Sequence, residues 1–168
     1  RAAVVNILKG RYAQGASTIT QQLVKNIFLT NEKTLWRKFK EAIISVYIEI
    51  IYGKDEIIET YLNNVYWGNF QGIEVRGIEA ASNFYFKKTA SELSLNESLI
   101  LVSMLKGPYF YNPLNNPERL KKRVLLLGNK LAQENILSSL ELQGLSAELE
   151  LWINNFEKKH DIIFLKYL

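Results

Sequence analysis

Helix start and stop signals follow one another along the whole sequence. Thr18 with Gln21, and Ser94 with Glu97, have the spacing of a capping box, in which two residues satisfy each other's backbone N–H groups at a helix start. Pro117 has the fixed φ angle that suits a first helical residue. No strand pair or hairpin signal interrupts the series, so the sequence predicts a mainly α fold.

The predicted helices have apolar residues at helical spacing and are joined by short polar loops. They cover residues 1–9, 18–29, 34–52, 54–67, 75–86, 94–106, 117–135 and 146–159. Residues 69–72 are expected to form a loop. The second half of the segment 34–52 is apolar on nearly every side, and we expect it to be central and buried.

Composition narrows the kind of site that the chain can carry. Apolar residues fill 48% of the 168 positions, which argues against intrinsic disorder. The absence of cysteine and the single histidine, His160, exclude cysteine-based and multi-histidine metal sites. Residues 1–53 hold eight lysines and arginines against three glutamates, and this excess suits phosphate, nucleic acid or an acidic membrane surface.

The ends of the sequence give a further expectation. The chain begins at Arg1, shows no signal peptide and has no apolar run long enough to span a bilayer. We expect a fragment or a processed form, with any membrane anchor outside these residues.

Polar side chains are concentrated at the start of the second predicted helix. Gln22, Lys25 and Asn26 are spaced i, i+3 and i+4, which places them on one helical face. Ser17 stands at the helix start, where free backbone N–H groups favour an anion. Ser17 could equally be a simple helix cap, so the pattern alone is not specific.

A second charged group follows. Lys33, Arg37 and Glu41 are four residues apart and therefore share one stripe, and Lys106 stands at a predicted helix C-terminus. Arg37 with Glu41 could be an ordinary surface ion pair, and a lysine at a helix C-terminus is favoured without any function. The residues alone therefore indicate a helical domain with a basic, polar face that could bind phosphate.

Five motifs occur in one order: "GASTITQQLVKN", "RKFKEA", "KDEIIETYLNNVYWG", "RGIEAASNFYFKK" and "LSLNESLILVSMLKGPYFYNP". Together they resemble glycosyltransferase family 51, the peptidoglycan polymerase module of class A penicillin-binding proteins and monofunctional transglycosylases. The resemblance covers about residues 1–132, and residues 133–168 are interpreted as a C-terminal helical extension of the same domain. It implies a lysozyme-like, two-lobed helical fold with a small membrane-facing jaw.

The resemblance also implies an activity and its partners. The family joins lipid II units into glycan strands and releases undecaprenyl diphosphate on the outer face of the bacterial cytoplasmic membrane. The implied partners are lipid II, the growing strand, the membrane surface and a cell-wall synthesis complex, with no nucleic acid. No cofactor is required, although a divalent cation such as Mg²⁺ could sit at the diphosphate.

Matching positions give the resemblance its site residues. Seven residues match substrate-binding positions: Ser17, Gln22, Lys25, Asn26, Lys33, Arg37 and Lys106. Lys25, Lys33 and Arg37 match those that bind the diphosphate, and Lys106 matches a lysine in the substrate cleft. Glu41 matches a supporting carboxylate that orients the cationic groups or a metal among the phosphates.

Two departures from the family pattern affect this expectation. The family's general base is a glutamate in an "ED…F…H" motif, which falls upstream of the position of Arg1. We therefore expect these 168 residues to hold the donor phosphate without being a competent polymerase alone. Ala16 stands where the family usually has glycine, which would cost roughly 1 kcal/mol if that position needs a positive φ.

Three alternatives remain at this stage. A lytic enzyme on a lysozyme-like scaffold would need a cleft carboxylate acid and would not need three cations around a diphosphate. A non-catalytic homologue would bind lipid II or its diphosphate without reacting. A basic helical nucleic-acid binder is the weakest of the three, because no groove-reading motif is present.

Overall fold

A computed structural model of the chain describes residues 18–29, 34–70 and 72–165, with side chains described as far as Phe156. The chain divides into two compact units, Arg1–Val65 and Tyr66–Leu168. The described residues are predominantly helical, which confirms the mainly α fold class. The predicted helix 1–9, Ala16, Ser17 and Lys33 lie outside the described residues.

The first unit contains three described helices: α1 (Ile19–Phe28), α2 (Leu35–Ile51) and α3 (Lys54–Asn64). The predicted capping box at the start of α1 is confirmed, because Gln21 N donates to Thr18 Oγ1 and Thr18 N donates to Gln21 Oε1, both at 3.2 Å. α1 packs against both α2 and α3. Leu23 and Val24 are buried on α1, and Tyr61 is buried on α3.

The expectation that the second half of α2 is buried was wrong. The buried residues of α2 are Glu41 and Ser45, both polar. The large apolar side chains of α2 that are at least half exposed are Leu35, Trp36, Phe39, Ile43, Val46, Tyr47, Ile50 and Ile51. An apolar pattern shows that a helix face avoids water, but it does not say whether protein or another apolar medium covers it.

The second unit begins with a hairpin that the sequence did not predict. Strands β1 (Tyr66–Phe70) and β2 (Ile73–Arg76) pair antiparallel, and their register shifts between Tyr66 and Gly68. The connecting turn has Gly72 at φ 87°, which glycine adopts without steric cost, and Gly72 N donates to Asn69 Oδ1 at 3.0 Å. The helix predicted over 54–67 therefore ends at Asn64, and the expectation of a simple loop at 69–72 was wrong.

The other described elements of the second unit are helices: α4 (Ile78–Phe86), a 3₁₀ turn (Ala90–Glu92), α5 (Leu95–Met104), α6 (Pro117–Gln133) and α7 (Ser139–Leu165). α6 packs against both α5 and α7. α6 and α7 lie close together at Gly128, where an added Cβ would lie 2.7 Å from Leu145 Cδ2. The predicted capping box of Ser94 and Glu97 and the predicted start at Pro117 are confirmed.

Candidate functional site

The charged cluster of the first unit is centred on Glu41, whose side chain is only 2% exposed. Arg37 Nη1 donates to Glu41 Oε2 at 2.7 Å, and Lys38 Nζ contacts the other carboxylate oxygen, Oε1. Both cations keep some exposure, 16% for Arg37 and 44% for Lys38. One buried carboxylate therefore positions two cations at the edge of the unit.

The cluster follows from local helix geometry. Thr34 caps α2, and its Oγ1 accepts from Arg37 N at 3.1 Å, so the first turn is held at the residue that carries the guanidinium. Arg37 and Lys38 are four and three residues before Glu41, which are the spacings that bring helical side chains together. Ser45 Oγ donates to the Glu41 carbonyl at 2.6 Å one turn later.

One residue on the polar face of α1, Gln22, is held in place by a hydrogen bond from another helix. Gln22 Oε1 accepts a hydrogen bond from the Tyr61 hydroxyl of α3 at 3.1 Å. Burial raises the pKa of Tyr61, so its hydroxyl remains protonated and remains a donor. Lys25 and Asn26 are exposed on the same helix. A fixed amide and two accessible polar groups thus stand within two turns of one helix.

Six of the eight predicted site residues lie among the described residues, and they differ in their contacts. Arg37 and Glu41 are brought into direct contact, as their spacing indicated. Gln22 is held by Tyr61 of α3, which is not one of the predicted site residues. Lys106 is exposed and belongs to the second unit, in the turn after α5.

Two members of the first unit's site were missed by sequence reasoning. Lys38 had a usable signal, because it is three residues before Glu41, the same kind of helical spacing that drew attention to Arg37. Tyr61 had none, because it is 39 residues from Gln22 and their contact depends on how α1 packs against α3.

The described residues do not fit a metal ion held by the protein. Mg²⁺ prefers oxygen ligands such as carboxylates, but both Glu41 oxygens already accept from cations. Across the described ranges, no three acidic, histidine or cysteine side chains come together as a metal-binding group. The Mg²⁺ prediction remains a prediction, and cationic side chains are the groups available to an anion here.

A model of the transglycosylase family matches residues 1–132, about four fifths of the chain. The chain belongs to the transglycosylase family. The match begins before α1 and ends within α6, so it includes the Arg37–Glu41 cluster, the polar face of α1 and Lys106. The family resemblance read from the five motifs is therefore confirmed.

Individual relatives of this chain are penicillin-binding proteins. It is 44% identical to penicillin-binding protein 1B of Escherichia coli K12 over 147 residues, 88% of this chain and 17% of that protein. It is 44% identical to penicillin-binding protein 1B of Vibrio cholerae over 143 residues, 85% of this chain and 18% of the relative. Penicillin-binding protein 1A of Aquifex aeolicus is 46% identical over 138 residues, 82% of this chain and 18% of the relative. The chain thus spans under a fifth of the length of these relatives.

Among the described helices, none has both the length and the apolar character needed to cross a membrane.

Proposed function

We propose that this transglycosylase chain provides the donor-binding part of a peptidoglycan glycosyltransferase, which joins lipid II units and releases undecaprenyl diphosphate. The observation that carries the proposal is the pair of cations, Arg37 and Lys38, held on one buried carboxylate. Membership of the family and the similarity to penicillin-binding proteins support the same activity.

The cations explain how the chain would assist the reaction. When the acceptor hydroxyl attacks the donor's anomeric carbon, the bond to the diphosphate breaks and negative charge grows on the leaving group. Preorganised cations stabilise that charge without having to reorganise. The planar guanidinium of Arg37 can hold phosphate oxygens in pairs, while Lys25, and Lys33 outside the described residues, act as point charges.

Glu41 is proposed as a positioning residue for these cations. Its side chain is 2% exposed and both oxygens accept from Arg37 and Lys38, so it is poorly placed to remove a proton from an acceptor hydroxyl. The family resemblance assigns the base to a separate glutamate in the "ED…F…H" motif. Glu41 would then fix the geometry of the donor site and leave proton removal to that other carboxylate.

The donor-site proposal is tested by binding of a phosphoglycolipid such as moenomycin, or of a lipid II analogue. Arg37→Ala and Lys25→Ala should each weaken binding by about tenfold or more, the loss of one charge-assisted hydrogen bond. Lys40→Ala is the matched control, because it removes the same charge from an exposed position of α2. Unchanged binding in both site variants would overturn the proposal.

A polymerisation assay separates the enzyme from the non-catalytic binder. Glycan synthesis from lipid II is compared for this chain and for a longer chain that carries the upstream motif of the family. Activity that appears only in the longer chain supports the division of roles proposed above. Binding without synthesis in both chains favours a lipid II binder that does not react.

We also propose that the first unit contacts the outer face of the bacterial cytoplasmic membrane. The exposed apolar side chains of α2 form a long apolar surface beside basic residues, a combination that suits anionic lipid. An apolar cavity of about 220 Å³ is lined by residues from α1, α2 and α3. Ile43→Ser with Ile50→Ser should reduce sedimentation with phosphatidylglycerol vesicles, whereas Ile73→Ser in the second unit should not.

A further inference from the structure

The segment 131–156 of the second unit is acidic, although the chain as a whole is basic. It contains four glutamates and no lysine or arginine, whereas the whole chain has a net charge of +4. Residues 133–156 also lie beyond the range 1–132 that matches the transglycosylase family. An acidic surface here would repel an anionic substrate, anionic lipid or nucleic acid, so its role must be sought elsewhere.

Packing fixes which side of α7 faces outward. Leu145, Leu149 and Ile153 are buried on one side of this helix. Trp152 Nε1 donates to the Tyr85 carbonyl of α4 at 3.4 Å, which ties α7 to the rest of the unit. Because residues four apart share one side of a helix, this buried row leaves the opposite side of α7 to solvent.

The outward side of α7 carries an apolar row, the α7 seam, formed by Leu140, Gly144, Ala147 and Leu151. Their spacing of four, three and four residues is the one by which helices pack together in a coiled coil. Leu140 is 79% exposed and Leu151 is 64% exposed. A Cβ added at Gly144 would have only Glu148 Oε1 nearby, at 3.9 Å, so the middle of the seam is open. Two leucines with small residues between them form a recess for side chains of another helix.

Carboxylates flank the α7 seam on both sides. Glu141 and Glu148 lie on one side and Glu150 on the other, at the positions that set partner choice between paired helices. Glu150 is paired with Lys121 of α6, and Glu148 accepts from the neutral Asn96 amide of α5. Within the described ranges, no lysine or arginine forms an ion pair with Glu141 or Glu148. These two carboxylates can therefore attract cations from outside.

We propose that the α7 seam docks an amphipathic helix of a partner protein, whose leucines face the seam and whose lysines or arginines lie beside them. The apolar row supplies contact area, while Glu141 and Glu148 select a basic partner over an acidic one. A second copy of α7 packed antiparallel is disfavoured, because Glu141 of one copy would face Glu148 of the other. The seam spans about 16 Å of helix, which suits a transient contact.

The test uses two designed helical peptides of three heptads, both with leucine at the positions that face the seam. One peptide has lysine beside the leucines and the other has glutamate. Each is labelled and titrated with the 168-residue chain, and fluorescence anisotropy gives the dissociation constants. The lysine peptide should bind at least about tenfold more tightly than the glutamate peptide.

Substitutions in the seam locate the binding surface. Leu140→Ser and Leu151→Ser should each weaken binding of the lysine peptide by about tenfold, because each removes an apolar contact. Gly144→Leu should weaken it as much, because the new side chain fills the recess, although leucine favours a helix more than glycine does. Leu126→Ser is the matched control, because it removes a leucine that is 49% exposed on α6, and it should change binding less than twofold.

Charge reversal tests the choice of partner. Glu141→Lys combined with Glu148→Lys should reverse the preference, so that the glutamate peptide binds more tightly than the lysine peptide. The matched control is Glu118→Lys combined with Glu134→Lys, which changes the net charge equally at two exposed positions outside α7. The control should keep the original preference.

Several results would overturn the inference. The two peptides bind equally, the seam variants bind like the wild type, or charge reversal leaves the preference unchanged. A dimer in analytical ultracentrifugation that Leu151→Ser disrupts would identify a second copy as the occupant and reject the partner helix. Sedimentation with phosphatidylglycerol vesicles that depends on Leu140 and Leu151 would reject it in favour of lipid. Loss of peptide binding in Ile43→Ser with Ile50→Ser would assign the peptide to α2.

Discussion

Arg37 Nη1 lies 2.7 Å from Glu41 Oε2, and the carboxylate that it meets is only 2% exposed. A pair of this kind differs from a surface ion pair, whose net contribution to stability is near zero to 1 kcal/mol. The carboxylate is costly to bury by itself, and Arg37 and Lys38 compensate that cost. The geometry of the two cations and the stability of α2 are therefore linked.

Glu41→Gln should destabilise the first unit. Removing one partner of a buried pair costs about 3–5 kcal/mol, and we expect about 2–3 kcal/mol here because Arg37 and Lys38 still reach water. The measurement is the free energy of unfolding in urea. Glu49→Gln, at an exposed position of the same helix, should change it by less than about 0.5 kcal/mol. Equal losses in both variants would contradict a special role for the buried carboxylate.

Tyr61→Phe should remove the hydrogen bond that ties the Gln22 side chain to α3. One hydrogen bond is lost, so the unfolding free energy should fall by about 1 kcal/mol. If the donor site uses the amide in its present orientation, moenomycin affinity should fall as well. Tyr47→Phe is the control, because that tyrosine is 63% exposed. A stability loss with unchanged affinity would limit Gln22 to a structural role.

Protonation of Glu97 in acid should reduce the free energy of unfolding of the second unit. Burial raises the pKa of Glu97, but hydrogen bonds from Lys88 and Ser94 and the Lys88 charge together hold it below its ordinary 4.5. Because the folded pKa is the lower one, the stabilisation is complete above pH 4.5 and is lost as the pH falls through the folded value. The difference in unfolding free energy between wild type and Glu97→Gln should shrink over that range.

The matched control for this pH effect is Glu134→Gln. Glu134 is an exposed residue at the end of α6. Its substitution should shift the unfolding free energy by a similar amount at neutral and acid pH. A Glu97→Gln difference that is constant from pH 7 to pH 3 would disprove the linkage.

Two glycine substitutions should act in opposite directions. At Gly128 of α6, an added Cβ would lie 2.7 Å from Leu145 Cδ2 and 3.1 Å from Leu142 Cδ1. Overpacking costs about 1–3 kcal/mol and exceeds the helix propensity gain of about 1 kcal/mol, so Gly128→Ala should be destabilising. Gly144→Ala on α7 meets only Glu148 Oε1 at 3.9 Å and should be stabilising. Thermal unfolding of both variants checks the contrast.

Local signals predicted the helix starts well because they depend on residues close in sequence. The capping box of Thr18 with Gln21 and the Pro117 start are determined within one turn of chain, and both are present in the structure. The contact of Arg37 with Glu41 could be predicted for the same reason, because the two residues are four apart on one helix. None of these predictions required knowledge of tertiary packing.

The sequence did not predict the hairpin, because buried and exposed residues do not alternate regularly along β1. The register shift between Tyr66 and Gly68 interrupts period two in β1, and Trp67 and Gly68 are buried in succession. The strands are also short, at five and four residues. The turn signal at Asn69 and Gly72 was present in "NFQG", but without alternation around it the segment resembled a loop.

The α7 seam was not predicted from the sequence, because the last helix was expected to begin too late. The predicted helix covers residues 146–159, whereas α7 begins at Ser139. Leu140 and Gly144 therefore fell outside it, and the spacing of the seam was not recognised. Which side of a helix stays exposed also depends on tertiary packing, here on the burial of Leu145 and Leu149.

The exposed apolar side of α2 has a thermodynamic consequence. The heat capacity change of unfolding comes mainly from apolar surface that becomes wetted, and Leu35 and Ile50 are already 83% and 78% exposed in the folded chain. Unfolding of the first unit in water should therefore have a smaller heat capacity increment than its apolar content predicts. If lipid or detergent covers that side of α2, as we propose, the increment should rise toward the ordinary value.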